Sequence, residues 1–279
     1  MYWKKTTIFR ALLAFIFVVV LSLGAAAVEP FTFVQIADTQ LGMGGYERDV
    51  RNFERAVKQI NAMKPDFVVI CGDLVEDGQD DAQVKDFKRI KAGFEVPCHC
   101  VAGNHDLTGE PTPELLERYR RLIGKDYYAF EQKGLAFVVM NTQLVKSEVA
   151  GESEKHFAWL KGVLEGAKKR GTPVIVAGHY ALFTGNPDEE EAYFNLPVEK
   201  RKALLDLFRA TGVVAYLSGH SHKNIINTLD GIQFVTNATT SRNFDDAPMG
   251  FRVWRVKAEP PYDHEYVAIQ DAEPYVKKK

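Results

Sequence analysis

Apolar positions along the chain alternate between two periods. Three short apolar runs, "FTFVQIA" (31–37), "PDFVVICGD" (65–73) and "VPCHCVAGN" (96–104), have the length of strands, and the first two are rich in β-branched and aromatic residues. Between them, Tyr46 to Met63 and about residues 80–92 show the amphipathic spacing of helices. "TPELLERYRRLIG" (112–124) predicts a short helix, with proline at its start and glycine at its end. "YYAFEQKGLAFVVMNT" (127–142) predicts a hairpin turning at Lys133-Gly134. A longer helix follows over "SEKHFAWLKGVLEGAKKRG" (153–171), with Ser153 as cap and Gly171 as stop. "TPVIVAGH", "GVVAYLSGH", "IINTLDGIQFVTNA" and "GFRVWRVK" supply the remaining strands. Strand–helix alternation implies parallel pairing and the hairpins imply antiparallel strands, so two mixed sheets packed together with helices outside are expected.

Residues 1–27 stand apart from this pattern. Lys4, Lys5 and Arg10 precede "ALLAFIFVVVLSL", a run short of the ~20 apolar residues that span a bilayer, and Ala25-Ala26-Ala27 offers a cleavage site. A cleaved signal peptide is expected, with one domain over 28–279 exported to the periplasm or the exterior and no membrane insertion afterwards. The alternative is an uncleaved N-terminal anchor. Without the leader, 32 Lys plus Arg face 37 Asp plus Glu, a formal charge of about −5. That balance argues against broad binding to nucleic acid or anionic membranes, and a monomer is expected. Three cysteines are too few for a disulfide framework. Cys98 and Cys100 are read as facing opposite ways on a strand. A Cys71 bridge to either is possible, and buried free thiols are favoured.

The polar residues that carry chemistry sit where strands end. "IADTQ" places Asp38 and Gln40 after the first strand, "CGDLV" places Asp73 after the second, and "AGNHD" places Asn104, His105 and Asp106 after the third. "AGHY" and "SGHSH" add His179, His220 and His222. Strand ends of this kind are where α/β folds bind ligands, and glycines just before the polar residues allow sharp turns. Such a cluster at the end of an apolar sheet would suffer desolvation and repulsion without cations. Oxygen and imidazole donors without thiolates suit manganese, iron, zinc or nickel.

The ordered set Asp-x-Gln, Gly-Asp, Gly-Asn-His-Asp, Gly-His and Gly-His-Ser-His resembles the calcineurin-like metallophosphoesterases. "FNLPVEKRKALLDLFRATGVVAYLSGHSHKN" and "TNATTSRNFDDAPMGFRVW" resemble its branch of calcineurin-like phosphoesterase-domain-containing serine/threonine phosphatases. The resemblance implies an α/β/β/α four-layer sandwich of two mixed β-sheets, and two divalent or trivalent metal ions, Mn, Fe or Zn. It implies one metal held by Asp38, Asp73 and His222 with Gln40 beside it, and another by Asp73, Asn104, His179 and His220. His105 would face the substrate with Asp106 orienting it, and a hydroxide activated by both metals would hydrolyse phosphate monoesters, of small molecules or phosphoproteins. Gln40 departs from the histidine usual in the wider family, which leaves open whether it coordinates. A phosphodiesterase acting on cyclic nucleotides or lipid headgroups is the alternative, and a non-catalytic interaction protein is a weaker third reading.

Other features are read as structural. His99 lies within a strand, His156 on the exposed side of a helix, and His264 in a loop or edge strand. "GMGG" (42–45) lacks the Lys-Ser/Thr of a phosphate loop and is expected to form a mobile rim. "NPDEEEAYFN" (186–195) reads as a solvated acidic loop. Tyr46, Tyr180, Arg242 and Asn243 are candidates for pocket walls.

Overall fold

The computed structural model describes residues 27–275. Eleven strands and six helices follow in the described residues. They are β1 (Phe31–Ile36), α1 (Tyr46–Met63), β2 (Phe67–Ile70), α2 (Asp81–Lys91), β3 (Cys98–Cys100), α3 (Pro113–Leu122), β4 (Tyr128–Gln132) and β5 (Leu135–Val139). Then come α4 (Gln143–Lys146), α5 (Glu152–Arg170), β6 (Val174–Ala177), α6 (Val198–Thr211), β7 (Val213–Ser218), β8 (Ile225–Leu229), β9 (Ile232–Thr236), β10 (Gly250–Val256) and β11 (Asp263–Ala268). The proposed leader lies outside the described residues, apart from Ala27. Among the described residues, no helix is long and apolar enough to cross a membrane.

The strands form two mixed sheets, ordered β11-β10-β1-β2-β3 and β4-β5-β6-β7-β9-β8. Three apolar clusters separate four layers. Phe33, Phe67 and Trp254 of the first sheet meet Phe137, Ile175 and Leu217 of the second in the middle. Val34, Ile36 and Ile70 point the other way, onto Phe53 of α1 and Phe87 of α2. Val138 and Val176 pack on Leu160 and Leu164 of α5 and Leu204 of α6. The expected sandwich is therefore present, and strand alternation explains it: Phe33 and Val34 are neighbours that serve different cores.

One buried polar residue aligns the two sheets at the ends that matter. Gln35 is fully buried, and its amide donates to Ser218 O and Val235 O of the second sheet at 3.1 Å each. Its oxygen accepts from Trp254 Nε1 at 3.0 Å. All its capacity but one lone pair is thus used, as a buried amide requires.

Four local expectations are corrected. His156 is buried, because it stands in register with Leu160, Leu164 and Ala167 on the inward stripe of α5; its polarity had argued against its spacing. Ser153 does not cap α5. Gly151 occupies the cap position, and the Ser153 hydroxyl instead accepts from Val149 N and donates to Ser147 O. Cys98 and Cys100 both pack on the helix-side core, since residues two apart on a strand share a face. All three cysteines are free thiols. Helix α6, which the hydropathy pattern alone did not mark, covers the second sheet beside α5. His264 lies on the edge strand β11, as one of its two readings had it, and His99 stacks on Phe130 at 3.7 Å.

Candidate metal centre

Every polar strand end named from the sequence converges on one place. Asp38, Gln40, Asp73, His220 and His222 all adopt positive φ, between 34° and 66°. Left-handed backbone at a non-glycine residue costs on the order of 1–3 kcal/mol and persists only where the surroundings impose it. Here cross-strand hydrogen bonds do so: Asp38 N donates to Gly72 O, Gln40 N to Asp73 O, and His220 N to the Asp38 carboxylate. Two glycines serve different needs. Gly72 itself has a φ of 82°, and a Cβ there would sit 2.5 Å from His179 Nδ1. Gly219 is needed for space alone, since its Cβ would press on Asp38 Oδ2 at 2.5 Å.

Three histidines are each held by one ring nitrogen. His179 Nδ1 bonds Cys71 O at 2.8 Å, His220 Nε2 bonds Tyr193 O at 3.0 Å, and His222 Nδ1 bonds Arg242 O at 2.6 Å. A carbonyl accepts only, so each of those nitrogens carries a proton, and the other ring nitrogen of each is the one that can serve as a metal donor once deprotonated. This is how proteins orient metal-ligating histidines. The opposite nitrogens meet carboxylates: His179 Nε2 lies 3.3 Å from Asp73 Oδ2, and His222 Nε2 lies 3.6 Å from Asp38 Oδ1. Donor atoms of Asp73, His179 and His220 lie within 4.8 Å of one another, as do those of Asp38, Asp73 and His222. Asp73 belongs to both groups, and Asn104 Oδ1 lies 3.0 Å from His179 Nε2.

The region 31–224 matches the sequence pattern of the calcineurin-like phosphoesterases. The chain belongs to that family. It is similar to serine/threonine-protein phosphatase CPPED1 of Danio rerio, 36% identical over 250 residues, covering 80% of each chain. It is 33% identical to CPPED1 of Homo sapiens over 267 residues, covering 87% of this chain and 85% of that one. Two solved structures share the fold at 18% identity. A dimetal phosphatase from Danio rerio aligns with a TM-score of 0.61, over 86% of this chain and 99% of that one. GAP50, the anchor in the inner membrane complex of Plasmodium, aligns with 0.66 over 90% of both. Calcineurin-like phosphoesterases are hydrolases of phosphoric esters that use a dimetal centre. This chain is such a hydrolase.

The electrostatics of the cluster call for cations. Burial drives the Asp38 carboxyl well up, with Asp73 adding to the effect. Burial acts on Asp73 in the same sense, but the charge and hydrogen bond of His179 outweigh it and hold that carboxyl down. Burial opposes a charge on His179, yet Asp73 and Asp38 push it up to about 9. Burial lowers His220 to about 3 and His222 to about 4. The protein alone thus answers its buried carboxylates with a proton on His179, which a metal must displace. Burial and the Asp73 charge also push Asp106 up to about 7. The folded chain therefore holds an extra proton at His179 between about pH 6.5 and 9, and metal-free stability falls as pH rises through that window; at lower pH Asp106 acts in the same sense, while the lowered His220 and His222 act in the opposite one. In chelator, Tm should drop from about pH 7 to about pH 9, and added Mn or Zn should raise it more at the alkaline end. An equal metal-induced rise at both pH values would contradict this.

Gln40 also fits a cation. Its Nε2 donates to Glu76 Oε2 at 2.8 Å, which turns the carbonyl oxygen the other way. That Oε1 is buried and has no partner. A buried acceptor left alone costs about 1–3 kcal/mol, and a metal in the Asp38–Asp73–His222 group would relieve it. Gln40→Leu should weaken metal binding by roughly 10-fold or more, read by chelator competition, a loss in the range seen for residues that support metal ligands.

The expected pairing of Asp106 with His105 is replaced by another. Asp106 Oδ1 accepts from Leu74 N and Oδ2 from Gly103 N, both at 2.8 Å, so its carboxylate ties the Asp73 turn to the Asn104 turn. His105 Nδ1 instead bonds Glu76 O at 2.8 Å, with Glu76 Oε2 3.5 Å away. Its ring is 29% exposed, unlike the buried cluster, and Nε2 is left for a ligand. Glu76, which thus supports both His105 and Gln40, was invisible in the sequence because it belongs to no motif.

The surroundings differ from expectation in four further places. The "GMGG" loop is tied down, since Gly42 N and Gly44 N both donate to the buried Asp49 carboxylate. Tyr46 binds Asp86 of α2, and Asn243 braces its own loop through Thr239, Ala247 and Pro248, so neither forms a wall. Tyr180 is buried behind His220, with ring centroids 4.1 Å apart. The acidic loop is solvated as expected at Asp188, Glu190 and Glu191, but Glu189 turns inward: it accepts from three backbone amides and Asn195, bonds that outweigh its burial and push it down to about 2. This brings the Tyr193 carbonyl onto His220 and the half-buried Lys146 onto the Tyr193 carbonyl. Arg242 remains at the rim, its guanidinium over Phe244 and Tyr275.

Proposed function

We propose that this chain is an exported phosphatase that hydrolyses phosphate monoesters, with phosphoserine and phosphothreonine in proteins as the favoured substrate class. The observation that carries a two-metal reading is Asp73, a buried carboxylate common to two three-donor groups. Asp38, Asp73 and His222, with Gln40, would hold one ion, and Asp73, Asn104, His179 and His220 the other. Manganese, iron or zinc fits these oxygen and imidazole donors. When bound, such a pair acidifies a water and neutralises charge on the phosphoryl oxygens. Cys71 does not enter the donor set, because burial drives its thiol far up and keeps it protonated.

The chain's own residues supply the rest. His105, braced at Nδ1 by Glu76, presents Nε2 to the leaving oxygen and can hand it a proton. Asp106 keeps the Asp73 and Asn104 turns in fixed relation, a positioning role. Exposed Tyr193 and Phe244, beside His220 and His222, give the mouth an apolar lip that a peptide side chain can cross. The named function of the CPPED1 relatives supports the choice of phosphoprotein substrates.

The test is a panel of phosphoserine, phosphothreonine and phosphotyrosine peptides with cyclic nucleotide and bis-aryl diesters, each with Mn, Fe, Zn or chelator. Chelator-sensitive turnover of phosphoserine and phosphothreonine peptides is expected. Turnover confined to diesters would replace the reading with that of a phosphodiesterase. For export, N-terminal sequencing of protein recovered outside the cytoplasm should begin near Val28, and an intact Met1 in the cytosol would refute it.

A further inference from the structure

The loop from Thr184 to Leu196, between β6 and α6, is held by three side chains. Arg201, in the first turn of α6, donates through Nη1 to Pro187 O at 2.9 Å and Glu189 O at 2.7 Å, and through Nη2 to Leu196 O at 2.9 Å. Its guanidinium therefore joins the early and late parts of the loop, entirely through backbone. The Glu189 carboxylate accepts from the amides of Thr184, Gly185 and Asn186 and, at 2.6 Å, from Asn195 Nδ2. Lys146 Nζ donates to Tyr193 O at 3.2 Å and to Asn195 O at 3.4 Å.

Stability alone does not account for Arg201. The side chain is fully buried, its Nε has no partner, and among the described residues none of its hydrogen bonds reaches a carboxylate. Well-packed apolar side chains are often as stable or more so at buried charged positions. A cation in the first turn of a helix also opposes the helix dipole. What the planar fork supplies is a fixed relation between several carbonyls at once. The segment clamped between those carbonyls contains Tyr193, whose backbone oxygen bonds His220 Nε2 at 3.0 Å. That contact places the ring proton on Nε2 and leaves Nδ1 as the donor atom of His220.

We propose that Arg201 is a positioning residue for the metal ion of the Asp73–Asn104–His179–His220 group. By fixing the 184–196 loop it holds the Tyr193 carbonyl on His220, and so sets which ring nitrogen is free to bind metal. The proposal rests on the two-metal reading above. Replacing Tyr193 would not test it, because the contact is made by backbone.

The test reads the two ions separately in the full chain, by titrating Mn against a chelator. His222→Ala should leave the ion of the His220 group, and His220→Ala the ion of the His222 group. Added to His222→Ala, Arg201→Met should weaken the remaining ion by about 10-fold, the lower end of the range for residues that support metal ligands. Added to His220→Ala, it should change affinity by less than about twofold, as uncoupled sites do, because its route to the metal is gone. Glu189→Ala, which releases the same loop from another side chain, should show the same contrast. In the metal-free wild-type chain, nitrogen NMR should find the His220 proton on Nε2, and in Arg201→Met a mixture of both tautomers. Equal weakening in the two backgrounds would make Arg201 a general support of the fold and overturn the proposal. No weakening in either would overturn it too. Should Arg201→Met fail to fold, Glu189→Ala decides by the same contrast. The readout is metal affinity, so a chain that binds both ions without hydrolysing phosphate esters would refute the phosphatase reading and leave this result standing.

Discussion

Asp73→Asn should remove both metals and nearly all turnover in one substitution. The reason is geometric. Asp73 is 1% exposed and belongs to both donor groups, so no other side chain of the cluster affects two ions at once. Asparagine keeps the shape and loses the charge that opposes two cations. The fall in kcat/KM should exceed the roughly 10²–10³-fold that follows loss of a single transition-state hydrogen-bond donor. Elemental analysis of protein purified without chelator should find up to two transition metals per wild-type chain and close to none in the variant. His222→Ala should differ, losing one ion and keeping part of the other, because His222 appears in one group only. Full activity of Asp73→Asn in metal-free buffer would sink the two-metal mechanism.

His105→Gln should lower kcat by roughly two to four orders of magnitude, the range for a lost general acid, while leaving metal content unchanged. The structure separates His105 from the ligands despite its place beside Asn104. Its ring is part exposed, and its Nδ1 is engaged by Glu76 O and not by a carboxylate of the cluster. The loss should depend on the leaving group: a nitrophenolate departs without a proton, so aryl phosphates should suffer less than alkyl phosphates. Equal losses on both would assign His105 to charge stabilisation. Loss of metal would make it a support of the cluster.

Much of the site was legible because its chemistry is written locally. Each donor follows an apolar run, and the strand periods alone place Asp38, Asp73, Asn104, His179 and His220 at corresponding ends of neighbouring strands. Most of the fold was legible for the same reason, as in the extent of α1 and the turn at Lys133-Gly134. Errors arose where residue type was weighed above register. His156 looks like a surface residue by polarity and a core residue by spacing, and spacing won. Cys98 and Cys100 share one face because residues two apart on a strand do so.

The sequence by itself determined the layers, the strand ends and the types of donor, since these depend on short-range periodicity and on the elements that follow it. Only the tertiary structure decided which partner each donor has. Asp106 turned from His105 to the amides of Leu74 and Gly103, because a carboxylate buried between two turns is best satisfied by backbone donors. Glu76 took up His105 and Gln40, and the "NPDEEEAYFN" loop carried the Tyr193 carbonyl to His220. Each of these contacts joins residues 27 or more apart in the chain, except that of Asp106 with Gly103. Hydrogen-bond satisfaction at such separations depends on how loops settle over the sheet, and no local pattern encodes it.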